Sequence, residues 1–390
     1  MASNNIALEG NGNSRAGRLR SVNPQDFSIP AGNEEEWRFT PVEKIAEFFD
    51  ENCAVRPVEL DVRGAEVGNA SDSDVPWVAE DKAGACAYQL SERRRVILDS
   101  PEHEEIFIDM RADEGMNTAC LSIHAKPNAR ASVVISHTGT ADLNECVDVY
   151  AEAGADITVV SIQEAEASAR HLSAQHVTLE KDAHVRHIAV TLGGDMIRVN
   201  TSVDFAEPGG DVELLGAYIT GADQHHEHRL FVNHDKENCT SRVTYKGALQ
   251  GENAHGVWVG DVLIGADATN TDTYELNRNL VLGRGPRVDS VPNLEIETGK
   301  ILGAGHASAT GRFDEEQLFY LQARGIDEDT ARRLVVRGFF ADLIDTIAID
   351  SVRERLMSAV DNELNLATAL DMGVDESVVS GHNDTKEANV

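Results

Sequence analysis

Ile157-Thr158-Val159-Val160-Ser161-Ile162, with Cys120-Leu121-Ser122-Ile123 and Ser132-Val133-Val134-Ile135-Ser136, decides the fold. Each run is short, rich in β-branched residues, and alternates apolar with small polar side chains, which is the pattern of strands. Turn residues separate such runs at Pro127-Asn128, Ala153-Gly154-Ala155-Asp156, Lys181-Asp182, Pro208-Gly209-Gly210, Gly251-Glu252-Asn253, Gly265-Ala266-Asp267 and Gly283-Arg284-Gly285. The first four recur at similar intervals and the later ones come closer together. No long helical period interrupts the stretch. Many short strands with quasi-regular turns fit either a β-solenoid or a pair of sandwiches. The repeated small-residue corners and an aromatic content of only 5% favour the solenoid. The expected division is an N-terminal arm and mixed helical region over 1–115 and a β core over 116–305. A helical docking region over 306–372 and a solvated tail over 373–390 follow.

The flanks read differently. Residues 1–35 are rich in Asn, Gly and Ser, and behind Pro41 the apolar residues from Val42 to Phe49 recur at helical spacing. Downstream, Asp314-Glu315-Glu316-Gln317 can cap a helix carrying Leu318, Phe319 and Leu321, which Gly325 stops. Asp327-Glu328-Asp329 starts a second helix with Ala331, Leu334, Val335, Phe339, Leu343, Ile344 and Ile347, and a third covers Val352 to Leu370. Phe339 and Phe340 are adjacent, so both cannot enter one narrow core stripe. On one reading a third helix covers both. On the other, one face packs on the β body and the other offers partner anchors, drawn from Leu318, Phe319, Leu334, Phe339, Phe340 and Leu343.

Sixty-seven acids against 34 bases leave a net charge of −33, and the bases are 26 Arg to eight Lys. Such a surface repels phosphate backbones and anionic lipids, so neither nucleic acid nor a membrane is an expected partner. Its self-repulsion calls for dense counterions, as in a salt-rich cytoplasm. No apolar run approaches the ~20 residues of a membrane span, and no basic-then-apolar leader opens the sequence, so a cytoplasmic location is expected. The five cysteines are dispersed without a Cys-x-x-Cys, which argues against a disulfide framework or a self-contained metal cluster site.

The densest histidine cluster is His225-His226-Glu227-His228, followed by His234. On a strand, His226 and His228 share a face and could grip a metal, whereas His184 and His187 fall on opposite faces. The plain alternative is a set of exposed polar residues or a ladder across coils. In Gly303-Ala304-Gly305-His306-Ala307-Ser308, little bulk covers His306, leaving it open to a partner or an ion. No Gly-x-Ser-x-Gly elbow and no phosphate-binding Gly-x-x-x-x-Gly-Lys loop is present, and abundant acids make chance pairs uninformative. A non-enzymatic protein is therefore expected. Two rivals are an iron donor using the His225–His234 cluster and a β-helical carbohydrate-active enzyme. The latter is disfavoured by the few aromatics and the lack of an export signal.

Several blocks resemble the SufB/SufD family of iron–sulfur cluster assembly scaffolds, most strongly over residues 225–347. They include His228-Arg229, His234, Cys239-Thr240-Ser241, Tyr245-Lys246-Gly247 and Thr271-Asp272-Thr273-Tyr274. Asn277-Arg278-Asn279-Leu280, Pro292-Asn293-Leu294-Glu295-Ile296 and the long Leu318–Ile326 block extend the match. Val288-Asp289-Ser290-Val291-Pro292 and the early Glu35-Glu36-Trp37-Arg38 look like the SufD branch. Pro286 stands where SufB proteins carry a cysteine. The resemblance implies a right-handed parallel β-helix core with helical ends, paired with a SufB-like paralogue and docking a SufC-like ABC ATPase through the C-terminal helices; a homodimer is also compatible. His306 matches the family's functional histidine in a Lys-Cys-Ser/Thr-His-Gly motif, but the cysteine is Ala304 and the final glycine is Ala307. The resemblance thus implies no permanent cofactor, and at most one ligand, His306, toward a transient iron–sulfur cluster or iron at the SufB–SufD interface.

Overall fold

The structure, a computed structural model, describes residues 17–71, 77–313 and 315–371. Entry is through β1 (Val55–Pro57), β2 (Glu59–Arg63), β3 (Val67–Asn69) and helix α1 (Lys82–Leu90). The winding begins with β4 (Arg93–Leu98), β5 (Glu104–Ala112), β6 (Met116–Ala125), β7 (Arg130–Gly139), β8 (Asp142–Ala151) and β9 (Asp156–Gln163). It continues through β10 (Arg170–Leu179), β11 (His184–Leu192), β12 (Met196–Phe205), β13 (Asp211–Thr220) and β14 (His225–His234). The last coils are β15 (Thr240–Leu249), β16 (His255–Ile264), β17 (Asp272–Val281), β18 (Arg287–Ile296) and β19 (Gly303–Arg312). Helices α2 (Glu315–Ala323), α3 (Glu328–Ile344) and α4 (Asp350–Asp371) follow.

From β4 onward, even-numbered strands stack in one sheet and odd-numbered strands in the other, every neighbour parallel and in register. This is a parallel β-solenoid. A coil consumes from 26 residues, as between Ser122 and Asp148, to 32, as between Ser241 and Thr273. At the first end each sheet is extended by a short antiparallel strand, β2 against β5 and β3 against β4, and these two are the last strands there. At the other end β18 and β19 are each the last strand of their sheet. Parallel stacking therefore begins before residue 116 and runs through Arg312, beyond the expected limits of the core.

The corners explain the spacing of the turn residues. Asn128, Gly154, Asp182, Gly209, Asn238 and Asn270 all have positive φ, between 53° and 84°. They form one column, because the N–H of each donates to a carbonyl of the next coil: Ala153, Lys181, Pro208, Glu237, Thr269 and Lys300 in turn. The first four turn signals all belong to this column. Gly251–Asn253 and Gly283–Gly285 belong to the opposite corner, where the Asp223 N–H donates to the Glu252 carbonyl. Mixing the two corners makes the later intervals look short. Asn, Asp and Gly recur because they tolerate the left-handed region.

Inward residues such as Ile123, Val149, Val177, Val203, Val232 and Val262 fill the lumen with an apolar core. The outer face of the odd sheet, including Val160, Ile188, Val190 and Leu215, is covered by α3 and α4. The outer face of the even sheet is covered by α1 and the N-terminal segment. Helix α1 escaped the sequence reading because Ala83 through Tyr88 are all buried, so no polar face marks a period. The helix expected over Val42 to Phe49 is a 3₁₀ segment kinked at Ile45. Val42, Ile45 and Phe48 lie three apart, which suits three residues per turn. Gly325 does stop α2, with φ +86°, and the Asp327 side chain caps α3 by accepting the Thr330 N–H. The cap expected at Asp314 and the tail over 373–390 lie outside the described residues.

The column makes a stability prediction. At Gly209 a Cβ would lie 2.1 Å from Asp182 Oδ1, and φ is +84°. Gly209→Ala should cost about 1–3 kcal/mol in urea denaturation, whereas Asp182→Gly in the same column should stay within about 1 kcal/mol of wild type.

Candidate functional site

At the last coil, lumen-facing side chains meet solvent. On β19, Ala304, His306 and Ser308 take the inward positions, and Ala304 still packs against the core. No further coil covers this rung, so His306 is exposed. Its register partner one coil back is Glu275, only 1% exposed. A Cβ on Gly260 would lie 2.7 Å from Glu275 Oε1, so the glycine makes room for the carboxylate. Around the mouth, Leu302, Ile296 and Tyr274 are exposed, Leu302 by 74%. The outer edges of β18 and β19 have no strand partner among the described residues. Exposed edges beside apolar side chains are where a further strand pairs.

A polar string runs inward from this mouth. Ser290 Oγ lies 2.7 Å from both Ser308 Oγ and Asn277 Oδ1, and Asn279 Nδ2 donates to Asn277 Oδ1 at 2.6 Å. Tyr218 donates its hydroxyl to Asn279 Oδ1, and its ring stacks on His228 with centroids 5.1 Å apart. No motif or spacing marks Glu275, Ser290 or Asn277 as neighbours of His306. They lie 16 to 31 positions away, and only the coil register brings them together.

His226 and His228 do share a face, and it is the lumen face. His226 is held by the Gly193 carbonyl at 2.9 Å and by Thr220 Oγ1 at 3.2 Å. His228 lies between Tyr218 and Tyr245, and neither of its ring nitrogens has a hydrogen-bond partner. Both are buried, which corrects their reading as a metal grip: hydrogen bonds occupy one ring and aromatic stacking the other. Burial pushes His228 and His234 down to about 3 and His226 and His187 to about 4, so these rings are neutral at physiological pH. His225 points outward instead, with Nε2 3.2 Å from Glu227 and Nδ1 3.1 Å from His255.

The helical residues also divide. Phe340, Leu343 and Leu318 are buried, Phe340 completely. They are core residues and leave no surface for a partner, which corrects their reading as anchors. Phe340 and Leu343 pack with the outer face of the odd sheet. Phe339 is partly buried on the same cluster, and Lys246 Nζ donates to its carbonyl at 2.8 Å and lies 5.2 Å from its ring. Phe319 and Leu334 remain exposed, by 71% and 47%. At the other end of the chain, the Glu35-Glu36-Trp37-Arg38 piece works as a latch. The Arg198 guanidinium stacks over Trp37 at 3.8 Å, donates to the Glu36 carbonyl, and pairs with Asp81 at 3.0 Å and buried Glu227 at 3.4 Å.

The comparisons fit this arrangement. The sequence model described as "SUF system FeS cluster assembly, SufBD core domain" matches residues 107–339, the span from β5 into α3. The chain belongs to the SufBD family. An iron-sulfur cluster assembly SufBD family protein of Mycobacterium leprae is 44% identical over 380 residues, covering 90% of this chain and 94% of the relative. A SufBD family protein of Mycobacterium tuberculosis is 42% identical over 379 residues, covering 92% and 96%. The iron-sulfur cluster assembly protein SufD of Escherichia coli is 21% identical over 384 residues, covering 86% and 89%. This SufBD-family chain is thus similar to these relatives over nearly its full length, including the N-terminal third where no motif beyond the Trp37 piece stood out. No helix among the described residues is long and apolar enough to cross a membrane.

Chemically, the mouth offers one exposed imidazole nitrogen donor with a carboxylate behind it, and no thiol among the residues of the last coil. The neutral lumen histidines carry a pH consequence. Their folded pKa values lie below the ordinary 6.5, so the folded chain stays neutral while the unfolded chain takes up protons. Stability is full above pH 6.5 and falls as pH drops toward the folded values, by about 1.4 kcal/mol per pH unit per ring. His228→Phe removes one such ring without orphaning a partner. In denaturant melts at several pH values it should be within about 1 kcal/mol of wild type at neutral pH. Its acid slope should be shallower by about 1.4 kcal/mol per pH unit between about pH 6 and 4.

Proposed function

We propose that this chain is a SufD-type scaffold subunit that builds or loads iron–sulfur clusters and does no catalysis of its own. It pairs with a SufB-type paralogue through the open end of its solenoid and works in a salt-rich cytoplasm. The observation that carries the reading is the exposed His306 at the last coil, flanked by two strand edges and the apolar rim of Leu302 and Ile296. A partner seated there brings its own donors opposite His306, which supplies one nitrogen to the nascent cluster. The rest of the set then comes from the partner, since Ala304 removes the cysteine of the family motif. Burial of His226, His228 and His234 counts against the iron-donor alternative.

The C-terminal helices give the second contact. Their inner faces are spent on the odd sheet, while Phe319 and Leu334 stay exposed on α2 and α3. These two are the anchors for a SufC-type ABC ATPase.

Each part has its own test. With the chain reconstituted alongside SufB-type and SufC-type subunits, His306→Ala should leave folding and assembly intact and abolish most cluster formation followed by visible absorbance. An unchanged yield removes His306 from the site. Pairing Leu302→Glu with Ile296→Lys should weaken binding of the SufB-type partner by about tenfold or more in analytical ultracentrifugation. Because both side chains are exposed, circular dichroism should not change. Phe319→Glu and Leu334→Glu should each weaken ATPase docking by about 2 kcal/mol in calorimetry while the SufB-type contact persists.

A further inference from the structure

His137, Glu145 and His171 meet inside the lumen, between coils remote in sequence from the open mouth, and nothing described above uses them. His137 lies on β7 of the odd sheet, while Glu145 and His171 lie on β8 and β10 of the even sheet, so the group bridges both walls. All three are buried, and one donor atom from each lies within 4.8 Å of the others. His137 Nε2 is 3.0 Å from Glu145 Oε2, and His171 Nε2 is 3.1 Å from Glu145 Oε1.

The protons decide what the group is built for. His137 Nδ1 lies 3.1 Å from the Ile162 carbonyl, an acceptor only, so Nδ1 carries the hydrogen. In the neutral ring Nε2 is then a lone pair facing a carboxylate. His171 Nε2 also faces that carboxylate, yet no aligned hydrogen bond reaches it although the ring is buried. Two ring nitrogens and a carboxylate converging on one point need a proton or a metal cation among them. The surroundings supply what metal ligands need. A backbone carbonyl orients His137, and Ser173 donates to Glu145 Oε1 at 2.6 Å. Tetrahedral bonds of about 2.0–2.1 Å put neighbouring donor atoms about 3.3 Å apart, close to the two nitrogen–oxygen separations here.

We propose that His137, Glu145 and His171 bind one divalent first-row cation of the zinc type inside the solenoid, clamping the odd wall to the even wall. Two nitrogens and one carboxylate oxygen are the donor set favoured by Zn²⁺ and Fe²⁺ over Mg²⁺ or Ca²⁺. The remaining position faces a polar surround in which Gln175 Nε2 donates to Ser173 at 2.8 Å and reaches Ser161 at 3.3 Å. Because the site is enclosed, the ion enters as the coils wind and is thereafter slow to leave.

The experiment uses the full chain, unfolded with chelator and refolded with Zn²⁺ alone or, anaerobically, Fe²⁺ alone. After gel filtration, wild type and His306→Ala should each retain about one equivalent of the ion, measured by elemental analysis, and melt higher than the chain refolded without metal. Glu145→Gln should retain none and show no metal-dependent melting shift. The X-ray absorption spectrum of the loaded wild type should show nitrogen and oxygen neighbours with imidazole scattering and no sulfur. Failure of wild type to retain either ion overturns the proposal and leaves a proton-held ion triad. Sulfur coordination, retention by Glu145→Gln, or loss in His306→Ala overturns it equally. Should Glu145→Gln fail to refold, the stoichiometry and spectrum of the wild type decide alone.

Discussion

Everything in this molecule depends on the column of left-handed residues from Asn128 to Asn270. Each must hold a backbone conformation that most side chains resist, and each passes one hydrogen bond to the coil above. Stacking them fixes where every coil turns, so strands of nearly equal length lie in register and the two sheets keep a constant gap. With the gap set, the lumen becomes a tube in which volume is traded between neighbours. A Cβ on Gly216 would lie 2.1 Å from the Tyr245 ring, and one on Gly247 would lie 2.3 Å from the Tyr218 ring. The large rings fit because glycine stands beside them.

The lumen changes character along its length. Aliphatic residues dominate much of it, but His137, Glu145 and His171, then His187, His226, His228 and His234, and finally Asn277 and Asn279 line its wall as well. A fully apolar tube of this size would fold on hydrophobic burial alone. Embedding imidazoles and amides instead costs desolvation that only good pairing offsets. Where pairing is complete, as from Ser308 through Asn277 to Tyr218, the network fixes side chains near the mouth. Where it is incomplete, as at His228, the aromatic stack takes its place.

How much of this could be read from the sequence follows from the periods involved. The Asn, Asp and Gly of the corners announced a winding chain, and the family blocks singled out His306 and the helical end. Coil length varied from 26 to 32 residues, and two corners contributed turn signals, so no fixed repeat could give the register. Without the register, alternation put His226 and His228 on a common face but could not say whether that face was inside. The same limit hid the meeting of His137, Glu145 and His171 from different strands. Phe340 misled because a helix lying on a sheet buries a broad face, wide enough for both Phe340 and part of Phe339. The latch of Trp37 on Arg198 was visible only as a motif, since its partner sits 161 residues downstream by difference of their numbers.

The two ends of the solenoid are not alike. The first end finishes in two short antiparallel strands, β2 and β3, whereas β18 and β19 end the other with full-length parallel edges. In the language of polymers, this is a chain terminated at one end and living at the other. A stack with two living ends adds units without limit and becomes a fibre. Shortening the strands at one end blunts that edge against such growth.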